Sequence, residues 1–214
     1  MAVSAEDIRI LKEVEVGSNV LASVIVPAYN EEAGIGFVLD NVFQAVDGRC
    51  EVLVVDDGSV DATSLIASRF PCRIVRHVQN RGKGEAMMTG LRHAEGDYVI
   101  FIDADGTYPA DFIPQMIDLL ATSDVVYCSR SSGRDNIPFL NRIGNQVFHN
   151  TIRCAYGFQG RDYATGLYGI RRSHLEGMDI VSSGFAIEPE IAIKASRMKL
   201  RVHDIPIEYQ PRKG

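Results

Sequence analysis

Apolar residues in this chain fall into short runs separated by polar clusters. Val20 to Pro27 (VLASVIVP), Cys50 to Val55 (CEVLVV), Cys72 to Val75, Tyr98 to Ile102 and Asp124 to Cys128 have strand length. A continuous apolar run bounded by turn residues predicts a strand buried on both faces. Between these runs, apolar positions recur with helical spacing. Ile35, Val38, Leu39, Val42, Phe43 and Val46 predict one helix, with Asn30 as its cap and Glu31 and Glu32 in its first turn. Further helices are predicted from Asp61 and Thr63, over about 85–94, over about 110–120 and over 137–152. Thr165 to Ile170 reads as a later strand, and Glu188 and Glu190 as a helix opening. Residues 1–20 read as a peripheral extension, in which Ile8, Leu11, Val14 and Val16 can lay a short helix or strand on the body. Repeated strand–helix alternation predicts an α/β fold, a mainly parallel central sheet flanked by helices.

Composition narrows the class. With 214 residues, 46% hydrophobic and 23% charged, the chain suits one soluble globular domain, 21–214, after the extension. Cys50, Cys72, Cys128 and Cys154 form no C-x-x-C pair and read as reduced thiols, hence a cytoplasmic setting. No stretch has the length of an apolar membrane helix, and the acidic N-terminus lacks the apolar core of a signal peptide. Residues 1–125 hold 9 basic and 20 acidic side chains; residues 126–214 hold 13 and 8. An acidic first part suits metal and sugar, and a basic second part suits an anionic partner. The overall charge of −6 and the absence of a basic run argue against nucleic acid.

In sheets of this kind ligands bind at the carboxyl ends of the strands. The polar motifs fall there. The first strand ends at Tyr29-Asn30-Glu31, the second at Asp56-Asp57, and the Tyr98–Ile102 strand at Asp103-Ala104-Asp105. Residues i and i+2 of an extended strand point the same way, so Asp103 and Asp105 can converge on one cation, directly or through water. Two close carboxylates repel unless a positive charge lies between them. A hard ion, Mg²⁺ or Mn²⁺, with a diphosphate on its open positions resolves that repulsion. Read alone, a D-x-D also fits a solvated acidic loop; its place in a series of strand ends selects the metal–diphosphate anchor. The turn Asn80-Arg81-Gly82-Lys83-Gly84 suits phosphate but lacks the P-loop pattern. No G-x-G-x-x-G follows the first strand, which argues against a dinucleotide oxidoreductase.

V-P-A-Y-N-E-E, V-V-D-D-G-S-x-D-x-T, N-R-G-K-G and D-A-D-G-T-Y-P, in this order, resemble the family 2 glycosyltransferases of GT-A (Rossmann-like) fold. The resemblance is dense over about residues 22 to 130. The later segments Val125 to Arg130, Asp162 to Tyr168, Gly184 to Glu188, Ile205-Pro206-Ile207 and Pro211 to Gly214 resemble the polyprenyl-phosphate (dolichol-phosphate mannose synthase-like) branch. The family's usual Gly-Ser-Arg is Cys128-Ser129-Arg130 here.

The resemblance implies a nucleotide-sugar and metal half, 21–128, and an acceptor half, 129–214. It implies inverting transfer of a sugar from a UDP- or GDP-sugar to a polyprenyl-phosphate lipid, with Mg²⁺ or Mn²⁺ as cofactor. Pro27, Tyr29, Glu31, Asp57, Lys83, Asp103, Ala104 and Asp105 would bind the nucleotide sugar, and Asp103 and Asp105 the metal. Arg130, Arg134 and Arg212 would contact phosphates. Asp105, Asp162 and Arg130 would serve catalysis, with Asp162 shaping the acceptor site; Glu188 and Glu190 are either a base or helix-dipole compensation. Thr107 stands where close relatives often carry Gln, leaving the ion two protein carboxylates. Helix 137–152 either lies on the membrane surface, which would make the protein peripheral at the cytoplasmic face, or packs on the sheet. Relatives often continue past Gly214, so the chain reads as a short soluble form or a truncated one. Competing readings are a family 2 glycosyltransferase with a hydroxyl acceptor and a module that binds a nucleotide sugar without turnover.

Overall fold

A computed structural model describes residues 7–14, 20–133 and 139–213. Eight strands form one sheet: β1 (Ile8–Lys12), β2 (Ala22–Ala28), β3 (Cys50–Asp56), β4 (Arg73–His77), β5 (Tyr98–Ile102), β6 (Val125–Ser132), β7 (Leu167–Arg171) and β8 (Val202–Glu208). Their spatial order is β1-β4-β3-β2-β5-β7-β6-β8. The pairs β2–β3, β2–β5, β3–β4 and β6–β8 are parallel, and the rest antiparallel. The expected mainly parallel α/β sheet is present.

Alternation along each central strand divides the core. Val24, Val26, Val52, Val54, Ile100 and Ile102 face one layer, with α1 (Ile35–Ala45) and α4 (Ile113–Leu120). Ile25, Leu53, Val55, Val99 and Phe101 face the other, with α3 (Lys83–His93) and α7 (Ile187–Arg197). Every residue of β2 is buried, as a continuous apolar run demands. Two short helices, α2 (Thr63–Ala67) and α6 (Arg172–Glu176), and the longer α5 (Phe139–Tyr156) are the remaining α-helices among the described residues. Ile152 of α5 is buried in the second layer, whereas Val147 is exposed. Arg134, residues 137–138 and the side chains of Leu140, Ile143 and Phe148 lie outside the described residues.

Two local expectations are corrected. Asn30 does not cap α1, which begins at Ile35 after Gly34 without a side-chain cap. Asn30 is in the left-handed region (φ 54°), and its Oδ1 accepts the Val60 N–H at 2.9 Å, tying two loops together. β6 does not end at Cys128. It pairs with β8 as far as Ser132, placing Arg130 inside the strand.

Candidate active site

The carboxyl ends of β2, β3 and β5 open side by side into a cavity of about 480 Å³. Pro27, Tyr29, Glu31, Asp57, Lys83, Asp103, Ala104 and Asp105 all line it, and Arg212 joins them from the far end of the chain. Tyr29 keeps 45% of its surface exposed. Close packing fixes the loop after β5: a Cβ on Gly34 would lie 2.5 Å from the Ala104 carbonyl oxygen, so only glycine lets α1 begin there.

The two aspartates ending β3 differ in use. Asp56 is fully buried and holds its own turn, accepting the Ser59 N–H at 2.8 Å and the Ser64 hydroxyl. Asp57 reaches across to the glycine-rich turn. Its Oδ1 accepts the Arg81 N–H at 2.9 Å, and its Oδ2 the Gly82 N–H at 2.8 Å. Oδ1 also lies 2.6 Å from Nδ1 of buried His77, whose Nε2 lies 2.9 Å from the Thr89 hydroxyl. With Nδ1 protonated, the ring donates to Asp57 and accepts from Thr89. Gly82 has φ 94°, and a Cβ there would sit 2.6 Å from the Ser183 carbonyl. The turn therefore keys into the loop preceding α7.

That contact brings the two halves of the chain together around Lys83. Its Nζ lies 2.7 Å from Asp103 Oδ1 and 2.6 Å from Glu188 Oε1. Burial opposes the ammonium charge, but the two carboxylates outweigh it and hold Lys83 protonated far above its ordinary range. Glu188 and Glu190 separate in role. Glu188 is buried against Lys83, whereas Glu190 accepts the N–H groups of Val181 and Ser182 and pairs with Lys194 at 2.7 Å. Burial pushes Glu190 up, but Lys194 and these N–H groups pull it down to about 2.

β7 runs antiparallel to β5 and carries the segment Asp162 to Gly166 to the metal-candidate loop. The Asp103 N–H donates to the Gly166 carbonyl at 3.1 Å. Asp105 Oδ1 accepts the Thr107 N–H at 3.0 Å and its hydroxyl at 2.7 Å. Asp162 and Arg130 do not line the cavity. They form a buried bidentate pair, Nε to Oδ2 at 2.6 Å and Nη2 to Oδ1 at 2.9 Å, with the Tyr209 ring 5.6 Å from the guanidinium carbon.

Among the described residues no cluster of three acidic, histidine or cysteine side chains forms a metal site by itself. The cavity nevertheless gathers four carboxylates, Glu31, Asp57, Asp103 and Asp105, against two cations, Lys83 and Arg212. Glu31 is pushed up by burial, with Arg212 opposing and Asp105 and Asp103 adding to the shift. Asp103 is likewise pushed up by burial, with Lys83 opposing and Asp105 adding. Hard oxygen donors with excess negative charge fit Mg²⁺ or Mn²⁺ completed by phosphate oxygens.

Sequence reading missed His77 and the Lys83–Glu188 contact, and it did not single out Asn80 or Phe185, which also line the cavity. Phe185 is 84% exposed at the cavity and carried no signal apart from its neighbours.

Comparisons with known proteins bear on the family and the fold. The family model described as Glycosyl transferase family 2 matches residues 23–178. A dolichyl-phosphate hexose transferase of Haloferax volcanii is 31% identical over 194 residues, covering 90% of this chain and 84% of that protein. A dolichol-phosphate mannosyltransferase of Pyrococcus furiosus is 29% identical, covering 87% of this chain and 56% of that protein. An undecaprenyl-phosphate 4-deoxy-4-formamido-L-arabinose transferase of Aeromonas hydrophila is 33% identical, covering 74% of this chain and 51% of that protein. Among solved structures, glucosyl-3-phosphoglycerate synthase of Mycobacterium tuberculosis with Mg²⁺ and UDP superposes with a TM-score of 0.75 at 27% identity, covering 91% of this chain and 72% of that one. The same synthase with Mn²⁺, UDP and glucosyl-3-phosphoglycerate gives a TM-score of 0.72 at 26% identity, with the same coverage.

Proposed function

Because this chain belongs to glycosyl transferase family 2 and is a glycosyltransferase, we propose that it moves a sugar from a UDP- or GDP-sugar to a polyprenyl phosphate, with inversion at the anomeric carbon. The observation that carries the reading is one cavity gathering Tyr29, Glu31, Asp57, Lys83, Asp103, Asp105 and Arg212 from separate strand ends. Relatives named for dolichyl-, dolichol- and undecaprenyl-phosphate transfer support the acceptor class. A polyprenyl-phosphate acceptor would place the reaction at a membrane surface, in this reading the cytoplasmic face. No described helix is long and apolar enough to cross a membrane.

In this reading Pro27, Tyr29 and Glu31 border the base and ribose, with the ring of Tyr29 for stacking. A carboxylate has about four acceptor sites. Asp57 uses three of them within the protein, and the fourth takes the base N–H. Ala104 presents its backbone beside the diphosphate. Asp103 and Asp105 would hold Mg²⁺ or Mn²⁺, which supplies Lewis-acid neutralisation of the departing diphosphate. Lys83, held protonated by Asp103 and Glu188, adds fixed positive charge where negative charge develops, and such preorganised charge acts most at the transition state. Arg212 would contact the diphosphate; Arg134, the other proposed phosphate contact, lies outside the described residues. The buried Arg130–Asp162 pair would shape the acceptor side. A phosphate acceptor is already anionic at neutral pH and needs no strong base.

The test is transfer from labelled UDP- and GDP-hexoses to a polyprenyl phosphate with Mg²⁺ or Mn²⁺, partitioned between chloroform and water. Chloroform-extractable label is expected. Label only in a water-soluble product supports a second reading, a soluble acceptor, favoured by the likeness to glucosyl-3-phosphoglycerate synthase. No transfer from any donor removes both.

A further inference from the structure

The segment after β8 crosses the candidate metal loop. The Gln210 N–H donates to the Thr107 carbonyl at 3.0 Å, and the Lys213 N–H to the Asp105 carbonyl at 2.9 Å. The Tyr209 ring meets Tyr108 edge-on at 5.4 Å between centroids. Lys213 Nζ lies 4.6 Å from the centre of the Phe37 ring. These contacts pin the backbone and aim one side chain at the carboxylates. Arg212 Nη2 lies 2.6 Å from Glu31 Oε1, and Nη1 lies 3.8 Å from Asp105 Oδ2. One guanidinium thus bridges carboxylates from two strand ends, β2 and β5.

Arginine stays charged at any physiological pH, so it neutralises these carboxylates whenever it faces them. Donors turned to these carboxylates are not available to a diphosphate at the same time. The side chain is 55% exposed, so turning away costs little packing, and the pinned backbone means only the side chain has to move.

We infer that Arg212 is an internal counter-cation that sets the order of binding. It holds Glu31 and Asp105 until the nucleotide diphosphate arrives, then turns to the phosphates and frees Asp105 for the metal. Metal and nucleotide therefore bind cooperatively, and by linkage each raises the other's affinity by the same factor. This rests on the proposed reading of Asp105 as a metal ligand.

The experiment is Mn²⁺ titration of the full chain by electron paramagnetic resonance, with and without UDP or GDP. In the wild type, nucleotide is expected to tighten Mn²⁺ binding at least about tenfold (about 1.4 kcal/mol). Arg212→Gln is expected to bind Mn²⁺ alone about tenfold tighter than wild type, with the nucleotide effect reduced by a similar factor. Lys213→Gln removes a neighbouring charge that faces Phe37, and is expected to leave Mn²⁺ binding unchanged. Equal or weaker Mn²⁺ binding by Arg212→Gln, or an equal gain in Lys213→Gln, overturns the inference while the reading of the site stands. Asp105→Asn binding Mn²⁺ as wild type does overturns that reading itself.

Discussion

Adding a single methyl group at Gly166 is expected to disable the site while the sheet remains folded. A Cβ built there collides with the Asp103 carboxylate and lies 2.7 Å from Cε2 of Tyr108, closer than real Cβ contacts come. Neither neighbour yields easily. The Asp103 backbone is tied to Gly166 by a 3.1 Å hydrogen bond, its other oxygen is held by Lys83 at 2.7 Å, and Tyr108 is buried against Tyr209. The carboxylate has to move by more than about 1 Å to regain an ordinary separation of about 3.5 Å. Overpacking of this kind costs about 1–3 kcal/mol. In a chain of this length about 2 kcal/mol lowers Tm by roughly 4–8 °C. Misplacing a group at the reacting centre by about 1 Å costs on the order of 100-fold in rate. Calorimetry and initial rates of Gly166→Ala check both figures. A lowered Tm with full turnover would show that the position of Asp103 is not needed. Unchanged Tm and unchanged turnover would refute the crowding itself.

Further perturbations follow the same logic. Lys83→Met leaves Glu188 buried without its cation, and breaking such a pair from one side is expected to cost about 3 kcal/mol in denaturant unfolding. Lys83→Met combined with Glu188→Gln should recover much of that loss; strictly additive effects would contradict the contact. Asp124 is held down to about 2, first by hydrogen bonds from Arg201, with burial opposing. A carboxyl depressed below its unfolded value of about 3.9 stabilises the fold above that value and loses the contribution as pH falls through the folded one. Asp124→Asn should therefore lower stability by roughly 1–2 kcal/mol at neutral pH, with the gap to wild type closing between about pH 4 and 2. A pH-independent gap in unfolding midpoints would count against this assignment.

Local pattern carried much of the fold. β2, β3 and β5 are continuous apolar runs because both faces are covered, and their carboxyl ends place Glu31, Asp57 and Asp103 around one cavity. What escaped was long-range. β7 returns antiparallel between β5 and β6, so Gly166 abuts Asp103 only through the sheet order. The apolar run predicts that β6 ends at Cys128, before polar Ser129 and Arg130. Asp204 and Asp162 satisfy them within the fold, and the strand continues. Asn30 imitates a helix cap in sequence, yet its left-handed backbone serves a loop-to-loop bond. Lys83 is legible as a phosphate-friendly residue and Glu188 as a helix-opening carboxylate, but their contact joins distant parts of the chain and no local pattern predicts it.

In the proposed reaction Asp105 anchors the departing diphosphate during sugar transfer. Single-turnover transfer of labelled hexose to polyprenyl phosphate by Asp105→Asn, at saturating donor and Mn²⁺, tests it most directly. Asp105 accepts both the Thr107 N–H and its hydroxyl, so Tm is to be recorded alongside. A fall in rate on the order of 100-fold or more, with the protein still folded, is expected. Transfer at the wild-type rate would contradict it.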